Sequence, residues 1–320
     1  MDMRPLGDSG IQVSAIALGC WPIAGMTSLD VNDDDSLATL RSCLDVGINF
    51  LDTAYCYGAD GESERLIAKA LGDHRDEMVI ATKGGVHWAG DKQAQDASPA
   101  RLRRECEESL RRLNTDRVEL IYLHSPDPNV PLTESAGALG ELMEQGKTRG
   151  VGVSNVSLAQ LEEFAAVCPI TAFQPPYNML QRNIEEGGLP WCREHNVAVC
   201  VYWPLMKGLL AGKLARDHVL PPGDGRAKYP MFQGEEWEKN QNLLDRLREI
   251  AAAAGCTVPA LVLNWTIHQS GVTVALCGAK RAWQNRENAA AADCELTDEH
   301  FREIDQALAD RGQAVTRRAV

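Results

Sequence analysis

Gly47-Ile48-Asn49-Phe50-Leu51-Asp52-Thr53-Ala54-Tyr55-Cys56-Tyr57-Gly58 is the stretch on which the fold turns. Its apolar run, Ile48, Phe50 and Leu51, reads as a short buried strand bounded by Gly47 and by a loop. The strand closes on an ionisable group, Asp52, and five residues on the loop offers a phenol, Tyr57. An aspartate where an apolar strand emerges, beside a loop tyrosine, is one way to mount a site on a rigid scaffold. Taken alone, the same residues also fit a capping aspartate and a surface tyrosine. The rest of the chain decides.

Working outward, the same unit repeats. Residues 3–13 read as a small hairpin turned at Asp8-Ser9-Gly10. Buried strands are expected at 15–19, at the opening stretch, and at 78–83, 118–123, 150–153, 171–174, 197–202 and 272–276. Between them, helical spacing covers 35–46, 62–71, 98–113, 133–145, 157–167 and about 185–195. Ser98-Pro99 is a cap followed by a first-turn proline, and Gly146 stops its helix. An irregular stretch runs from 204 to 234, followed by helices at 235–254, 258–269, 281–291 and 298–309.

Eight strands each followed by a helix, with no break in composition, predict a (β/α)8 TIM barrel of the α/β class. The N-terminal hairpin and the extra helices after strand 7 and at the C-terminus are additions to it. Residues 1–320 are expected to form a single domain. A doubly wound nucleotide-binding fold would want Gly-x-Gly-x-x-Gly after the first strand, and that fingerprint is absent. Gly146-Lys147-Thr148 lacks the upstream glycine of a phosphate-binding loop.

Bulk composition excludes several functions. A net charge of -13 over 320 residues argues against nucleic acid or an anionic membrane as partner, since both demand a basic face. No apolar run approaches the ~18–20 residues that span a bilayer, and no secretory leader is visible, so a cytoplasmic location is expected. Cysteines at 20, 43, 56, 106, 168, 192, 200, 256, 277 and 294 are scattered singly. Without Cys-x-x-Cys or metal-ligand spacing, they read as reduced and structural, and no metal site is expected.

In a barrel of this kind the active site lies at the C-terminal ends of the strands. Polar groups close strand after strand: Asp52, Lys83, His124, Ser154-Asn155, Gln174, Tyr202, and Gly278-Ala279-Lys280-Arg281 after the last. Such convergence of acid, base, amide and phenol points to a site. A free phenol has a pKa near ~10, too high for efficient proton transfer at neutral pH. Lys83 beside Tyr57 is expected to lower it, and Asp52 on the adjacent strand to supply the counter-charge of Lys83. His124 can orient a carbonyl oxygen. With no paired nucleophile and no metal triad in the sequence, a cofactor is expected to bring the other reactant.

Together the motifs resemble the aldo-keto reductase superfamily. They are Asp52-Thr53-Ala54-x-x-Tyr57-Gly58, Thr82-Lys83, Leu123-His124, Gly152-Val153-Ser154-Asn155 and Phe173-Gln174-x-x-Tyr177-Asn178, then Tyr202-x-Pro204-Leu205-x-x-Gly208-Leu209-Leu210, Gly278-Ala279-Lys280-Arg281 and Arg286-Glu287-Asn288. The resemblance spans nearly the whole chain. It implies a (β/α)8 barrel and a nicotinamide dinucleotide, NADPH (NADP+) preferred, NADH possible. It casts Tyr57 as general acid, Lys83 and Asp52 as the pair that tunes it, and His124 as the carbonyl-orienting group. Ser154, Asn155 and Gln174 match residues that hold the carboxamide, and Tyr202 the aromatic stacked beneath the nicotinamide. Pro204, Leu205, Gly208 and Leu210 match the pyrophosphate segment, and Gly278, Lys280, Gln284, Glu287 and Asn288 the adenosine end. Lys280 or Arg281 can pair with a 2′-phosphate. Relatives with arginine at the position of Gln284 hold that phosphate more firmly, so the preference here is relaxed. Leu276-Cys277-Gly278 stands where many relatives carry Ile-Pro-Gly.

Trp21 and Trp88 match positions that contact substrate, with Trp203 and Phe232 as further candidate walls. The implied activity is reduction of an aldehyde or ketone, the partner being a small-molecule carbonyl or sugar. Two alternatives stay open: an NAD(P)+-dependent sugar or alcohol dehydrogenase, and a cofactor-sensing regulatory subunit like the potassium-channel β subunits.

Overall fold

Alternate residues of a strand face opposite sides, so a strand with apolar groups at every position must be covered on both. The structure, a computed structural model, describes residues 1–25 and 30–315. It opens with the hairpin β1 (Met3–Pro5) and β2 (Gln12–Ser14), then β3 (Ile16–Gly19), α1 (Asp33–Asp45), β4 (Phe50–Asp52) and α2 (Glu62–Leu71). Next come β5 (Val79–Gly84), β6 (Val86–Ala89), β7 (Lys92–Gln95), α3 (Pro99–Leu113), β8 (Leu120–Leu123) and α4 (Leu132–Glu144). The chain continues with β9 (Val151–Ser154), α5 (Leu158–Ala165), β10 (Ala172–Gln174), α6 (Gly188–Glu194) and β11 (Ala198–Tyr202). It ends with α7 (Gly234–Ala253), α8 (Val258–Ile267), β12 (Val274–Gly278), α9 (Ala282–Ala289) and α10 (Asp298–Arg311).

Strands β3, β4, β5, β8, β9, β10, β11 and β12 close a parallel eight-stranded barrel. Closure runs through β12 on β3, with Ala275 opposite Ile16 and Gly278 opposite Gly19. One parity of each strand fills the interior: Ala17, Phe50, Val79, Ala81, Leu120, Tyr122, Ala172, Ala198, Cys200, Val274 and Leu276. Leu6, Ile11 and Val13 of the hairpin join this cluster and plug one end. The other parity, with Leu18, Leu51, Ile80, Ile121, Val153 and Val199, packs under the helices. The barrel is therefore a packed core and not a pore.

Local signals set the helix starts. The Ser98 hydroxyl accepts from Arg101 N ahead of Pro99, and Ser157 with Gln160 forms a capping box. Gly146 takes a left-handed φ of 74° after α4, a conformation that costs glycine little. Three features depart from expectation. The β6–β7 hairpin was not expected, because its Lys92–Gln95 strand is polar and exposed. Helix α6 begins only at Gly188, behind a 3-10 turn at Asn183–Glu186. The last strand lies two residues later than its apolar run suggested, which carries Gly278 to the barrel end.

No single helix among the described residues is long and apolar enough to cross a membrane. The cysteines are free, and all but the half-buried Cys256 and Cys294 are buried. Inside the barrel Gly152 makes room for Tyr122: a Cβ there would lie 2.3 Å from Tyr122 Cε1 and 2.8 Å from the Ala172 carbonyl oxygen. Gly152→Ala is expected to cost about 2–3 kcal/mol of stability by overpacking, read from urea unfolding. An unchanged midpoint would mean that Tyr122 has room to shift.

Candidate active site

The two-residue period that fills the barrel also aims its polar strand ends. Asp52 follows Phe50 by two, Lys83 follows Ala81, His124 follows Tyr122, Ser154 follows Gly152, Gln174 follows Ala172, and Tyr202 follows Cys200. All six continue the inward parity and stand as a polar layer on an apolar core.

Lys83 and Asp52 are 1% and 4% exposed. A buried ammonium is stable only if its three N–H groups find acceptors. Lys83 Nζ donates to Asp52 Oδ2 at 2.7 Å, to the Thr53 carbonyl at 2.7 Å and to the Tyr57 hydroxyl at 3.3 Å. The other Asp52 oxygen, Oδ1, accepts from Gln174 Nε2 at 2.7 Å. The three N–H groups of Lys83 and both oxygens of Asp52 are thus engaged.

Tyr57 is carried by a turn in which its N–H donates to the Ala54 carbonyl, and Gly58 follows with φ at +95°. Its ring meets Trp21 edge-on at 5.0 Å and His124 at 6.0 Å. Here one expectation is corrected. The phenol is held well above its ordinary pKa, first by burial and then by the Asp52 charge. Burial and the Asp52 carboxylate together outweigh the Lys83 ammonium, which is itself paired to Asp52 at 2.7 Å. Burial, and then the Lys83 charge, push His124 down to about 3, leaving a neutral imidazole at physiological pH.

Asn155 takes a left-handed φ of 58°, a conformation asparagine tolerates better than most residues. Its Nδ2 donates to the His124 carbonyl at 2.9 Å, and its Oδ1 accepts from the Tyr202 hydroxyl at 2.8 Å. Ser154 Oγ donates to the Gln174 carbonyl at 2.8 Å. Ser154, Asn155, Gln174 and Tyr202 therefore form one hydrogen-bonded group that reaches Asp52 through Gln174. Beyond Tyr202, Trp203, Met206, Lys207 and Gly208 all have positive φ, at 59°, 44°, 55° and 87°. Pro204 is buried, and the Leu205 carbonyl accepts from Gly208 and Leu210 N–H at 2.9 and 3.1 Å, folding the segment into a tight coil.

The remaining expected residues collect on β12 and α9. Lys280 N–H donates to Gln284 Oε1 at 2.9 Å, and Glu287 pairs with Lys213 at 2.5 Å. Arg281 is turned to the Asp30 carbonyl at 2.7 Å and to Asp35 at 3.4 Å. The buried Nδ2 of Asn288 has no hydrogen-bond partner among the described residues. An unpaired buried amide donor, a coil of left-handed backbone with Lys207 and Lys213 at hand, and a strand-end phenol fit a nicotinamide dinucleotide.

Trp21 and Trp88 pack on the cluster of Ala54, Cys56, Tyr57 and Val86, and Trp88 Nε1 donates to the Cys56 carbonyl at 3.0 Å. Trp203 meets Tyr202 edge-on at 5.2 Å. Phe232 instead stacks on Trp237 at 6.3 Å and serves to seat the start of α7. Tyr55 sends its hydroxyl to Glu108 at 2.6 Å, away from Lys83. Two neighbours escaped the sequence reading. Cys56 lies 3.6 Å from His124 Nδ1, and Lys207 sits 3.5 Å above the Trp203 ring, its ammonium brought down to about 8 by burial and by the Lys228 charge. Adjacency to Tyr57 and Gly208 was the signal available for each.

The ion pair sets a stability test. Asp52→Ala leaves the Lys83 ammonium buried without a counter-charge and is expected to cost about 3–5 kcal/mol in urea unfolding. Adding Lys83→Met should recover most of that loss. No recovery would mean that Asp52 stabilises the barrel through Gln174 instead.

Comparison with known proteins gives a consistent picture. The sequence profile of the Aldo/keto reductase family matches residues 15–309. The chain is 36% identical over 287 residues to Aldo-keto reductase YhdN of Bacillus subtilis, covering 89% of this chain and 86% of that one. It is 34% identical to the NADH-specific methylglyoxal reductase of Escherichia coli, covering 96% and 99%. Among solved structures, the glycerol dehydrogenase AKR11B4 from Gluconobacter oxydans superposes with a TM-score of 0.91 at 36% identity, covering 100% and 98%.

Proposed function

The chain belongs to the Aldo/keto reductase family, and from that premise we propose a carbonyl reductase that prefers NADPH and uses Tyr57 as its general acid. As a member of the family it is a nicotinamide-dependent oxidoreductase acting on small-molecule carbonyl substrates. The observation that carries the residue roles is the Lys83 ammonium shared between Asp52 at 2.7 Å and Tyr57 at 3.3 Å.

The bound reduced nicotinamide supplies the hydride. Each residue role follows from its surroundings. Burial keeps Tyr57 protonated in the resting state, so an O–H is always available to the substrate oxygen. As that proton leaves, the phenolate forms beside Lys83, whose charge stabilises it where water is excluded. The ammonium holds the resting phenol by a long hydrogen bond of 3.3 Å, and its attraction grows as the anion develops. Asp52 holds Lys83 in place, and neutral His124 orients the carbonyl through an N–H. Ser154, Asn155 and Gln174 would hold the carboxamide of the nicotinamide, and Tyr202 would offer its ring an aromatic face.

Trp21 and Trp88 wall the substrate side. Two relatives take their names from methylglyoxal and glycerol, both three-carbon compounds, which supports a small aldehyde or ketone here. The glycerol dehydrogenase likeness also favours a second reading, in which the same residues run in reverse on an alcohol with NAD(P)+.

Tyr57→Phe is expected to lower kcat by about 10²–10⁴-fold while the nicotinamide dinucleotide still binds, measured by loss of reduced-nicotinamide absorbance and by titration calorimetry. Unchanged turnover would remove Tyr57 from the mechanism. A histidine protonates below its pKa, and His124 stands at about 3, so the rate profile should carry no histidine limb between about pH 5 and 8. A limb near ~6.5 would contradict the neutral imidazole.

Cofactor preference is assigned to Lys280, which follows the barrel-end Gly278 and whose N–H meets Gln284 at 2.9 Å. Lys280→Ala should weaken NADPH about tenfold and leave NADH unchanged, a difference of about 1.4 kcal/mol in dissociation constants. Equal weakening of both would place Lys280 on a phosphate that the two share.

A further inference from the structure

Cys56 has no part in the roles above, yet it is the residue on which His124 rests. It is fully buried, packed among Ala54, Tyr57 and Val86, and its carbonyl is fixed by Trp88 Nε1 at 3.0 Å. Its sulfur lies 3.6 Å from His124 Nδ1. Both backbone groups of His124 are committed: its N–H donates to the Gly84 carbonyl at 2.9 Å, and its carbonyl accepts from Asn155 Nδ2 at 2.9 Å. The ring orientation and tautomer are left to the side-chain contact.

A neutral imidazole carries one N–H, and which nitrogen holds it depends on what the other meets. Burial pushes the Cys56 thiol up to about 12, so the sulfur carries its hydrogen throughout the working range. Two arrangements are then available. In one, S–H donates to the Nδ1 lone pair, a good acceptor. In the other, Nδ1–H donates to sulfur, a weak acceptor, and the thiol hydrogen is left unused in a dry cluster. The first pairs both groups and leaves the proton on Nε2, on the far edge of the ring.

We propose that Cys56 is a positioning residue: its S–H donates to His124 Nδ1 and holds the imidazole in the Nε2–H tautomer, so that the N–H faces the substrate carbonyl oxygen. No bond is made or broken in this step, and the thiol is not consumed. The role rests on the proposed function of His124 as carbonyl-orienting group. It predicts that a hydroxyl can replace the thiol and a methyl cannot.

The test uses the full chain labelled with ¹⁵N-histidine, read first without substrate. The His124 resonance is identified by its loss in His124→Gln. Wild type and Cys56→Ser are expected to show the Nε2–H tautomer, with Nδ1 as the pyridine-type nitrogen. Cys56→Ala should show averaged shifts from two tautomers, with kcat/KM about fivefold lower, mainly through kcat, and Cys56→Ser restored to within about twofold of wild type. A Nδ1–H tautomer in wild type would overturn the proposal, as would an unchanged Nε2–H spectrum in Cys56→Ala. If the tautomer changes as expected while no carbonyl compound is turned over by wild type, the lock stands and the proposed function fails.

Discussion

A lysine inside an apolar barrel needs a counter-charge, and the pairing of Lys83 with Asp52 at 2.7 Å is the constraint around which this structure is arranged. Removing an ammonium from water costs several kcal/mol, so the side chain stays charged only where the protein replaces its hydration. Here the replacement is complete: a carboxylate from β4, a backbone carbonyl from Thr53, and the phenol of Tyr57. Asp52 in turn is steadied across the barrel by Gln174 from β10. Three strands and one loop are thereby tied to a single nitrogen. The loop's position, and with it the place of Tyr57, follows from that geometry.

Strand parity explains why so much of this was legible in the sequence. Phe50, Ala81, Tyr122, Gly152, Ala172 and Cys200 point inward, so the polar residues two positions later must also point inward, at one end of the barrel. Helix starts were legible for a similar reason, since Ser98, Ser157 and Thr297 are capping residues whose side chains satisfy first-turn N–H groups. The β6–β7 hairpin was not legible. Lys92 to Gln95 carries no apolar alternation, and the strand forms because it pairs with the segment that bears Trp88. The coil after Tyr202 was opaque as well, because Trp203, Met206 and Lys207 are side chains that seldom signal a left-handed backbone.

The electrostatics could be read only in part from residue types. Spacing placed Lys83 between Asp52 and Tyr57, but it could not tell that burial would dominate the phenol. The outcome is a site whose proposed acid and proposed orienting group both rest uncharged, Tyr57 as phenol and His124 as imidazole, around one neutralised ion pair. Such a layer carries little net charge before the reaction and meets the anion that develops during it with a charge already in position. At the other end of the cleft the same logic is relaxed. Arg281 is turned to Asp35 and the Asp30 carbonyl, and Glu287 to Lys213, so two of the residues expected at the adenosine end already have partners within the protein.

The central claim is that Lys83 and Tyr57 work as one unit, the ammonium acting most strongly on the anion that the phenol becomes. A double-mutant cycle on kcat, built from Tyr57→Phe, Lys83→Met and both together, tests this most directly, with cofactor binding as the check that each variant is folded. Groups that act as a unit are strongly non-additive, so the double variant is predicted to be no more than about threefold slower than the slower single variant. Losses that multiply would show that the two side chains contribute independently, and would contradict the account.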